Sequence, residues 1–399
     1  MGLNETVSAE RIHIGFFGLR NAGKSSLVNA VTGQSLSVVS DVKGTTTDPV
    51  KNAMELLPLG PVVIIDTPGF DDEGTLGEMR VKKTNEILSK IHIAVLVSDA
   101  SADLIEKEAE LIELFKKRSI PFIVAYNKSD ILEKSIDLKE NEVLVSALTG
   151  ENIGALKEKI GELAKNKKQE KYIVSHMLKQ GDTVVMVTPI DESAPKGRII
   201  LPQQLTLREI LDSNCTAIVC QPQQLKSTIE GFKNKPALVI TDSQVFGKVS
   251  EILPSDVLLT SFSILMANYK GDLEALVEGA ARLSEIKSGD KILISEGCTH
   301  HRQCNDIGAV KMPQWIRNFT GVEPEFSFTS GGEFPEDLSG FALIVHCGGC
   351  MLNEKEMQYR LTCAREQGVP IVNYGVAIAQ MHGILKRSLE IFPEIAERI

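Results

Sequence analysis

Three stretches of this 399-residue chain carry residue types and spacings able to do chemistry. The first runs Gly18-Leu-Arg-Asn21-Ala-Gly23-Lys24-Ser25-Ser26, a Gly-x-x-x-x-Gly-Lys-Ser pattern. It follows an apolar run at 11–17 and opens a helical stretch at Lys24, which is the context the pattern requires. Gly18 and Gly23 let the backbone curl so that its N–H groups point at phosphate oxygens. Lys24 reaches the β- and γ-phosphates, Ser25 sets its hydroxyl on Mg²⁺, and Ser26 closes the cradle.

The second stretch is a series of short pieces in a fixed order. Asp66-Thr67-Pro68-Gly69 ends an apolar run. Asp66 belongs in the Mg²⁺ shell, and the Gly69 N–H faces the γ-phosphate. Thr46, within Gly-Thr-Thr-Thr-Asp at 44–48, caps Mg²⁺ when that phosphate is present. Asn127-Lys128-Ser129-Asp130 ends another apolar run. Asp130 accepts two hydrogen bonds from guanine, and adenine has no matching donor pair. Asn127 buttresses the base, Lys128 lies along it, and after Ser146 the Ala147 N–H meets the guanine carbonyl. Asn-Lys-x-Asp alone is a common surface turn. In this order and at strand ends, the set specifies GTP or GDP with Mg²⁺. The catalytic set is Lys24, Ser25, Thr46, Asp66 and Gly69. Phe70 cannot orient water as a Gln would, so intrinsic hydrolysis is expected to be slow.

The third stretch is His346-Cys347-Gly-Gly-Cys350, preceded in the chain by Cys298-Thr-His300-His301-Arg-Gln-Cys304. Cys298 and Cys347 each follow an apolar strand. If those strands lie side by side and parallel, Cys298, Cys347 and Cys350 meet at one sheet edge. Thiolates suit zinc or an iron–sulfur cluster. Zinc would take the three Cys with His346 or His300. A [4Fe–4S] cluster would take the three Cys and leave one iron with a weaker ligand, for which His300, His301, His346 and Asp306 are candidates. Inert buried thiols, or a Cys347–Cys350 disulfide, are the plainer readings. Cys215, Cys220 and Cys363 read as packing residues, and His13, His92 and His382 as structural.

Short apolar runs alternating with amphipathic stretches predict an α/β chain of three α/β domains. The first is a P-loop GTPase domain, and the second and third are smaller domains with parallel or mixed sheets. The boundaries are 1–170 for the nucleotide domain, 171–268 for the second domain and 269–399 for the third. The second and third segments echo each other: GDTVVMV matches GDKILIS, and PALVITD matches FALIVHC. Such runs also match by chance, so duplication and shared strand grammar both account for it.

The net charge of −10 argues against a nucleic-acid surface built from the bulk of the chain. No apolar run is long enough for a transmembrane helix, and no signal-peptide pattern opens the chain. Seven cysteines in such a chain point to packing or metal chemistry in the cytoplasm rather than to disulfides.

Residues 10–165 resemble the translation-factor-related GTPases, closest to the tRNA-modification group. That resemblance implies a K⁺ site at Asn21 and K⁺-stimulated hydrolysis. Over its whole length, the P-loop front with Cys298-x-His300 and His346-Cys347-x-x-Cys350 behind resembles the HydF family, GTPases of [FeFe]-hydrogenase maturation. This resemblance implies a dimerisation domain over 171–268, a cluster-binding domain over 269–399, a [4Fe–4S] cluster on Cys298, Cys347 and Cys350, and a homodimer. It also implies a carrier role, taking a diiron precursor from radical-SAM maturation enzymes to the apo-[FeFe]-hydrogenase, with no nucleic acid or membrane partner. The competing reading is an RNA-linked GTPase of the tRNA-modification type with a structural zinc.

Overall fold

The structure, a computed structural model, describes residues 8–19, 21–34, 50–67, 84–102, 105–132, 137–165, 171–190, 199–297 and 307–398. The chain divides into two compact units, Met1–Gln169 and Glu170–Ile399.

In the first unit the elements are β1 (Ile12–Gly18), α1 (Lys24–Thr32), β2 (Val50–Leu56), β3 (Gly60–Asp66), β4 (Ile93–Asp99), α2 (Glu106–Lys117), β5 (Phe122–Asn127), β6 (Glu142–Leu144) and α3 (Ile153–Lys165). They build a six-stranded sheet in the order β2-β3-β1-β4-β5-β6. The pairs are parallel except β2 on β3, whose register runs from Val50↔Asp66 to Leu56↔Gly60. Central strands carry apolar residues on both faces because helices cover both. Ile93 to Val97 are buried without a break. Two core clusters result, one around Leu27, Val28 and Leu156, the other around Phe17, Leu111 and Phe115. The start of α2 is fixed by Glu108, whose carboxylate accepts the Ile105 N–H at 3.1 Å. Acids in its first turn and Lys116 and Lys117 in its last suit the helix dipole.

The second unit holds β7 (Thr183–Val187), α4 (Leu201–Asp212), β8 (Thr216–Cys220), α5 (Leu225–Glu230), β9 (Leu238–Thr241), α6 (Phe246–Ile252), β10 (Leu259–Ser261), α7 (Phe262–Lys270) and α8 (Leu273–Ala281). After them come β11 (Lys291–Glu296), α9 (Met312–Thr320), β12 (Glu325–Ser330), β13 (Leu343–His346), α10 (Glu354–Glu366), β14 (Ile371–Asn373) and α11 (Tyr374–Met381). Two four-stranded parallel sheets form, β10-β9-β7-β8 and β12-β11-β13-β14. Both place their second, first, third and fourth strands side by side in that order. The echo between the two segments is therefore also an echo of topology. One continuous hydrophobic core serves both sheets, running from Val184 and Phe246 to Ile294 and Val376.

Candidate functional site

In the first unit β1 feeds the chain into residues 19–23, and α1 carries it away from Lys24. Gly23 caps α1 in a left-handed conformation, φ 80° and ψ 24°. A Cβ at Gly23 would lie 2.2 Å from Asn127 Nδ2. Neither the backbone nor the space admits another residue there. Asn127, at the end of β5, accounts for the closeness. Its Nδ2 donates to the Ala22 carbonyl at 3.0 Å, and its Oδ1 accepts from the Ala147 N–H at 3.0 Å. One buried amide thus ties the phosphate loop to the Ser146–Ala147 turn, and the N–H expected to meet guanine is held by Asn127.

Lys24, Ser25 and Asp66 come together. Lys24 Nζ donates to Asp66 Oδ1 at 2.8 Å, and Ser25 Oγ donates to Asp66 Oδ2 at 2.8 Å. Thr67 locks the strand end, donating from its N–H and its hydroxyl to the Phe16 carbonyl. Lys128 has a left-handed φ of 69° and pairs with Asp99 at 2.6 Å. Burial pushes the Asp99 carboxyl up, yet hydrogen bonds from Lys128 and Ser101 outweigh it and hold its pKa below the ordinary value. Asp130 is exposed, and its Oδ1 accepts from the buried Ser146 hydroxyl at 2.5 Å. That hydroxyl in turn accepts from the Thr149 N–H at 3.1 Å. Gly18 ends β1, Ser26 sits in the first turn of α1, and Asn21 is exposed with φ 64°. Thr46, Gly69 and Phe70 lie outside the described residues. The sequence reading missed Asp99, although its place at the end of β4, level with Asn127, was a signal.

In the second unit β11 and β13 are adjacent and parallel, with Ser295 opposite His346. The Cys347 N–H continues the ladder, donating to the Ser295 carbonyl at 2.9 Å. Cys347 Sγ accepts two backbone N–H groups, from Gly297 at 3.0 Å and Gly349 at 3.4 Å. The second bond needs the turn at Gly349, where φ is 62°. Burial pushes the Cys347 thiol up to about 11, and the two N–H groups pull the other way. Burial also raises the Cys350 thiol, opposed chiefly by the charge of Lys270. Both cysteines are free thiols, so no disulfide joins them.

His346 is not placed as a metal ligand. It is fully buried, and Arg360 donates to its Nε2 at 3.0 Å. An arginine only donates, so Nε2 accepts, and Nδ1 carries the proton toward the Cys347 carbonyl at 2.7 Å. Burial and the Arg360 charge lower its pKa to about 3, which keeps the ring neutral. Arg360 itself was not foreseen. It is 1% exposed and also binds Ser295 Oγ, the Gly331 carbonyl and Glu356. Cys298, His300, His301, Cys304 and Asp306 lie outside the described residues. Among the described residues no three His, Cys, Asp or Glu side chains are grouped to hold a metal ion. Cys215 and Cys220 are buried and Cys363 half-buried, as packing residues are. His13 is also buried, and desolvation lowers its pKa to about 4.

Comparison with known proteins assigns both units. The model for the hydrogen maturase F dimerization domain matches residues 173–271, and that for the hydrogen maturase F tetramerization domain matches 274–391. Together they span most of the second unit. The chain belongs to the hydrogen maturase F, or HydF, family. Its front matches the 50S ribosome-binding GTPase model over residues 13–128, so the HydF-type second unit is preceded by a P-loop GTPase domain. GTPase Der of Wolinella succinogenes is 39% identical over 174 residues, covering 39% of this chain and 36% of Der. The tRNA modification GTPase MnmE of Lactococcus lactis subsp. lactis is 34% identical over 159 residues, covering 39% of this chain and 34% of MnmE. The chain therefore spans about a third of the length of these curated relatives. The G domain of the T. maritima FeoB iron transporter is 26% identical, covering 39% of this chain and 99% of that domain, with a TM-score of 0.31. No helix among the described residues is long and apolar enough to cross a membrane.

Proposed function

We propose that this HydF-family chain hydrolyses GTP with Mg²⁺ and holds a [4Fe–4S] cluster on Cys298, Cys347 and Cys350. In this reading it carries the diiron precursor from radical-SAM maturation enzymes to the apo-[FeFe]-hydrogenase, working as an oligomer through its dimerisation and tetramerisation segments. The division into residues 1–170, 171–268 and 269–399 belongs to the same proposal. One observation carries the cluster reading. Cys347 sits at the end of β13, beside and parallel to β11, with two N–H groups on its sulfur. N–H groups aimed at sulfur stabilise a thiolate and are a common feature of iron–sulfur sites. Cys298 follows Glu296, the last residue of β11, by two residues, and two residues of backbone reach at most about 7 Å. When bound, the cluster supplies an iron able to take an exogenous ligand. The chain's own part is to hold three thiolates and to keep the buried His346, next to Cys347, neutral.

Iron, acid-labile sulfide and zinc analysis of anaerobically purified protein tests this reading. About four irons and four sulfides per chain are expected, as a [4Fe–4S] cluster requires. Cys347→Ala and Cys350→Ala should each lose most of that iron while GTP turnover persists. Zinc near one per chain, with no sulfide, would replace the maturation reading by the structural-zinc one.

The phosphate loop carries a further proposal. Asn21 stands exposed at left-handed φ beside the phosphate cradle, where a K⁺ ion would supply positive charge. GTP turnover should be at least about tenfold faster in K⁺ than in Na⁺ at equal ionic strength, the gain expected for a modest transition-state charge. Asn21→Ala should remove the difference, and equal rates in the two salts would exclude this ion.

A further inference from the structure

His346 stands next to Cys347 and carries an imidazole of the kind a closed zinc set would recruit. A neutral imidazole has one proton and one lone pair to offer, and both are taken. The Nδ1 proton points to the Cys347 carbonyl at 2.7 Å, and the Nε2 lone pair accepts from Arg360 Nη1 at 3.0 Å. Arg360 lies on α10, the helix that follows the cysteine loop, and is 1% exposed. Its Nη1 also donates to Ser295 Oγ at 3.2 Å, and its Nη2 donates to the Gly331 carbonyl at 2.7 Å and to Glu356 Oε1 at 3.1 Å. Its Cζ lies 5.2 Å from the centroid of the Phe334 ring. The acceptors come from the end of β11, the end of β13, the residue after β12 and the first turn of α10. A planar guanidinium bound on so many sides is rigid. For His346 to bind a metal ion it would have to shed this donor and bring a divalent cation beside a fixed positive charge, which Coulomb repulsion in a buried site opposes.

We propose that Arg360 is a positioning residue that sets the metal specificity of the thiolate site. By holding Nε2 of His346 it denies the metal a nitrogen ligand beside Cys347. That disfavours a closed zinc set, which needs four protein ligands, and keeps a coordination position open for an outside ligand. The inference rests on the reading that Cys347 and Cys350 ligate metal.

The test uses the full chain, reduced and cluster-free under anaerobic conditions, with Co²⁺ as the probe. Affinity is followed by thiolate charge-transfer absorption. Ligated imidazoles are counted by the strongly shifted ring N–H signals of the Co²⁺ protein in proton NMR. His346→Gln, which leaves Arg360 an acceptor, should remove no shifted signal and change Co²⁺ affinity by less than about threefold, well below the effect of losing a residue that supports a metal. Arg360→Met combined with Glu356→Gln removes both charges of the buried pair, so that neither is stranded. This double variant should gain one shifted ring N–H and bind Co²⁺ and Zn²⁺ about tenfold more tightly, the lower end of the effects of residues bonded to a ligand. Adding His346→Gln to it should abolish both gains. If His346→Gln alone costs the native protein a shifted signal and more than about tenfold in Co²⁺ affinity, His346 is on the metal and the proposal is overturned, whether or not the double variant folds. A double variant that melts lower but gains neither signal nor affinity reduces Arg360 to a strut between strands and overturns it too. If the native protein binds Co²⁺ but takes up no iron and sulfide, the cluster reading fails while the Co²⁺ series still judges Arg360. If it takes up iron and sulfide and His346→Gln behaves as a lost ligand, the arginine proposal fails alone. No Co²⁺ binding at all would refute both.

Discussion

Lys24→Ala is expected to lower GTP kcat/KM by about 10³-fold, the usual loss when one preorganised charge is removed from a transferring group. The same change should also destabilise the nucleotide-free protein. In the fold Lys24 pairs with Asp66 at 2.8 Å, and the two side chains are 10% and 3% exposed. Removing the lysine leaves a buried carboxylate with, among the described residues, only the Ser25 hydroxyl, a loss of about 3–5 kcal/mol by analogy with broken buried ion pairs. Bound MgGTP would exchange these partners rather than remove them, offering phosphate to Lys24 and a cation to Asp66. Lys24→Ala combined with Asp66→Asn separates the two effects. The double variant should regain most of the lost melting temperature without nucleotide and recover none of the turnover. A Lys24→Ala protein that hydrolyses GTP within threefold of the native rate would exclude this residue from phosphate binding. Turnover by phosphate release and melting by circular dichroism, with and without GDP, decide both points.

The sequence made the strand ends legible because the chemistry sits there. The central parallel strands were visible as apolar runs, since helices on both faces leave no polar side to interrupt them. Strands β2, β6 and β10 were not visible, for different reasons. Val50–Leu56 is an antiparallel edge with Lys51 and Glu55 on it, and Glu142–Leu144 and Leu259–Ser261 are three residues each, too short for a pattern. The pairing of β11 with β13, the condition for the cysteines after them to converge, is met in the structure. The state of His346 was not foreseen, because it depends on Arg360, which lies 14 residues on in sequence and reaches back from α10. A histidine beside a cysteine reads as a ligand until the donor on its other nitrogen is known. Asn127 gives the converse lesson. Its motif position predicted that it buttresses the base, and the structure holds it instead between the phosphate loop on one side and the Ser146–Ala147 turn on the other.

The two sheets of the second unit share a strand order, but only one has a Cys-Gly-Gly-Cys loop after its third strand. After β13 the chain reads Cys347-Gly-Gly-Cys350. After β9 it reads Asp242-Ser-Gln, and Asp242 caps the following turn by accepting the Gln244 N–H at 3.0 Å. Equivalent strand ends thus serve a helical cap in one half and a cysteine-bearing loop in the other. The difference lies in the loop residues and not in the sheet, as expected where ligands sit at the carboxyl ends of parallel strands.

Gly279→Ala should be the most damaging single methyl in the second unit. Gly279 lies on α8, directly over β14. A Cβ there would fall 2.0 Å from the Ile371 carbonyl oxygen and 2.5 Å from its carbon. Both are strand backbone and no rotamer can relieve the clash, so helix and strand must separate. Separation loosens Leu276 and Ala280, buried on the same helix. It also drags Asn373, whose Oδ1 caps α11 at the Val376 N–H and whose Nδ2 reaches the Ser263 carbonyl. Asn373 stands opposite His346 in the sheet, so the displacement reaches the Cys347–Cys350 loop through a single ladder step. The expected loss is about 3 kcal/mol, the upper end for overpacking, or a fall of about 6–12 °C in melting temperature for a unit of this size. Gly340→Ala is the matched control, because nothing lies within 4 Å of the Cβ it would gain. It should melt within about 2 °C of the native protein, as surface substitutions do. Equal melting of the two variants would mean that α8 does not rest on β14 as closely as the register requires, and the route from that helix to His346 would fall with it.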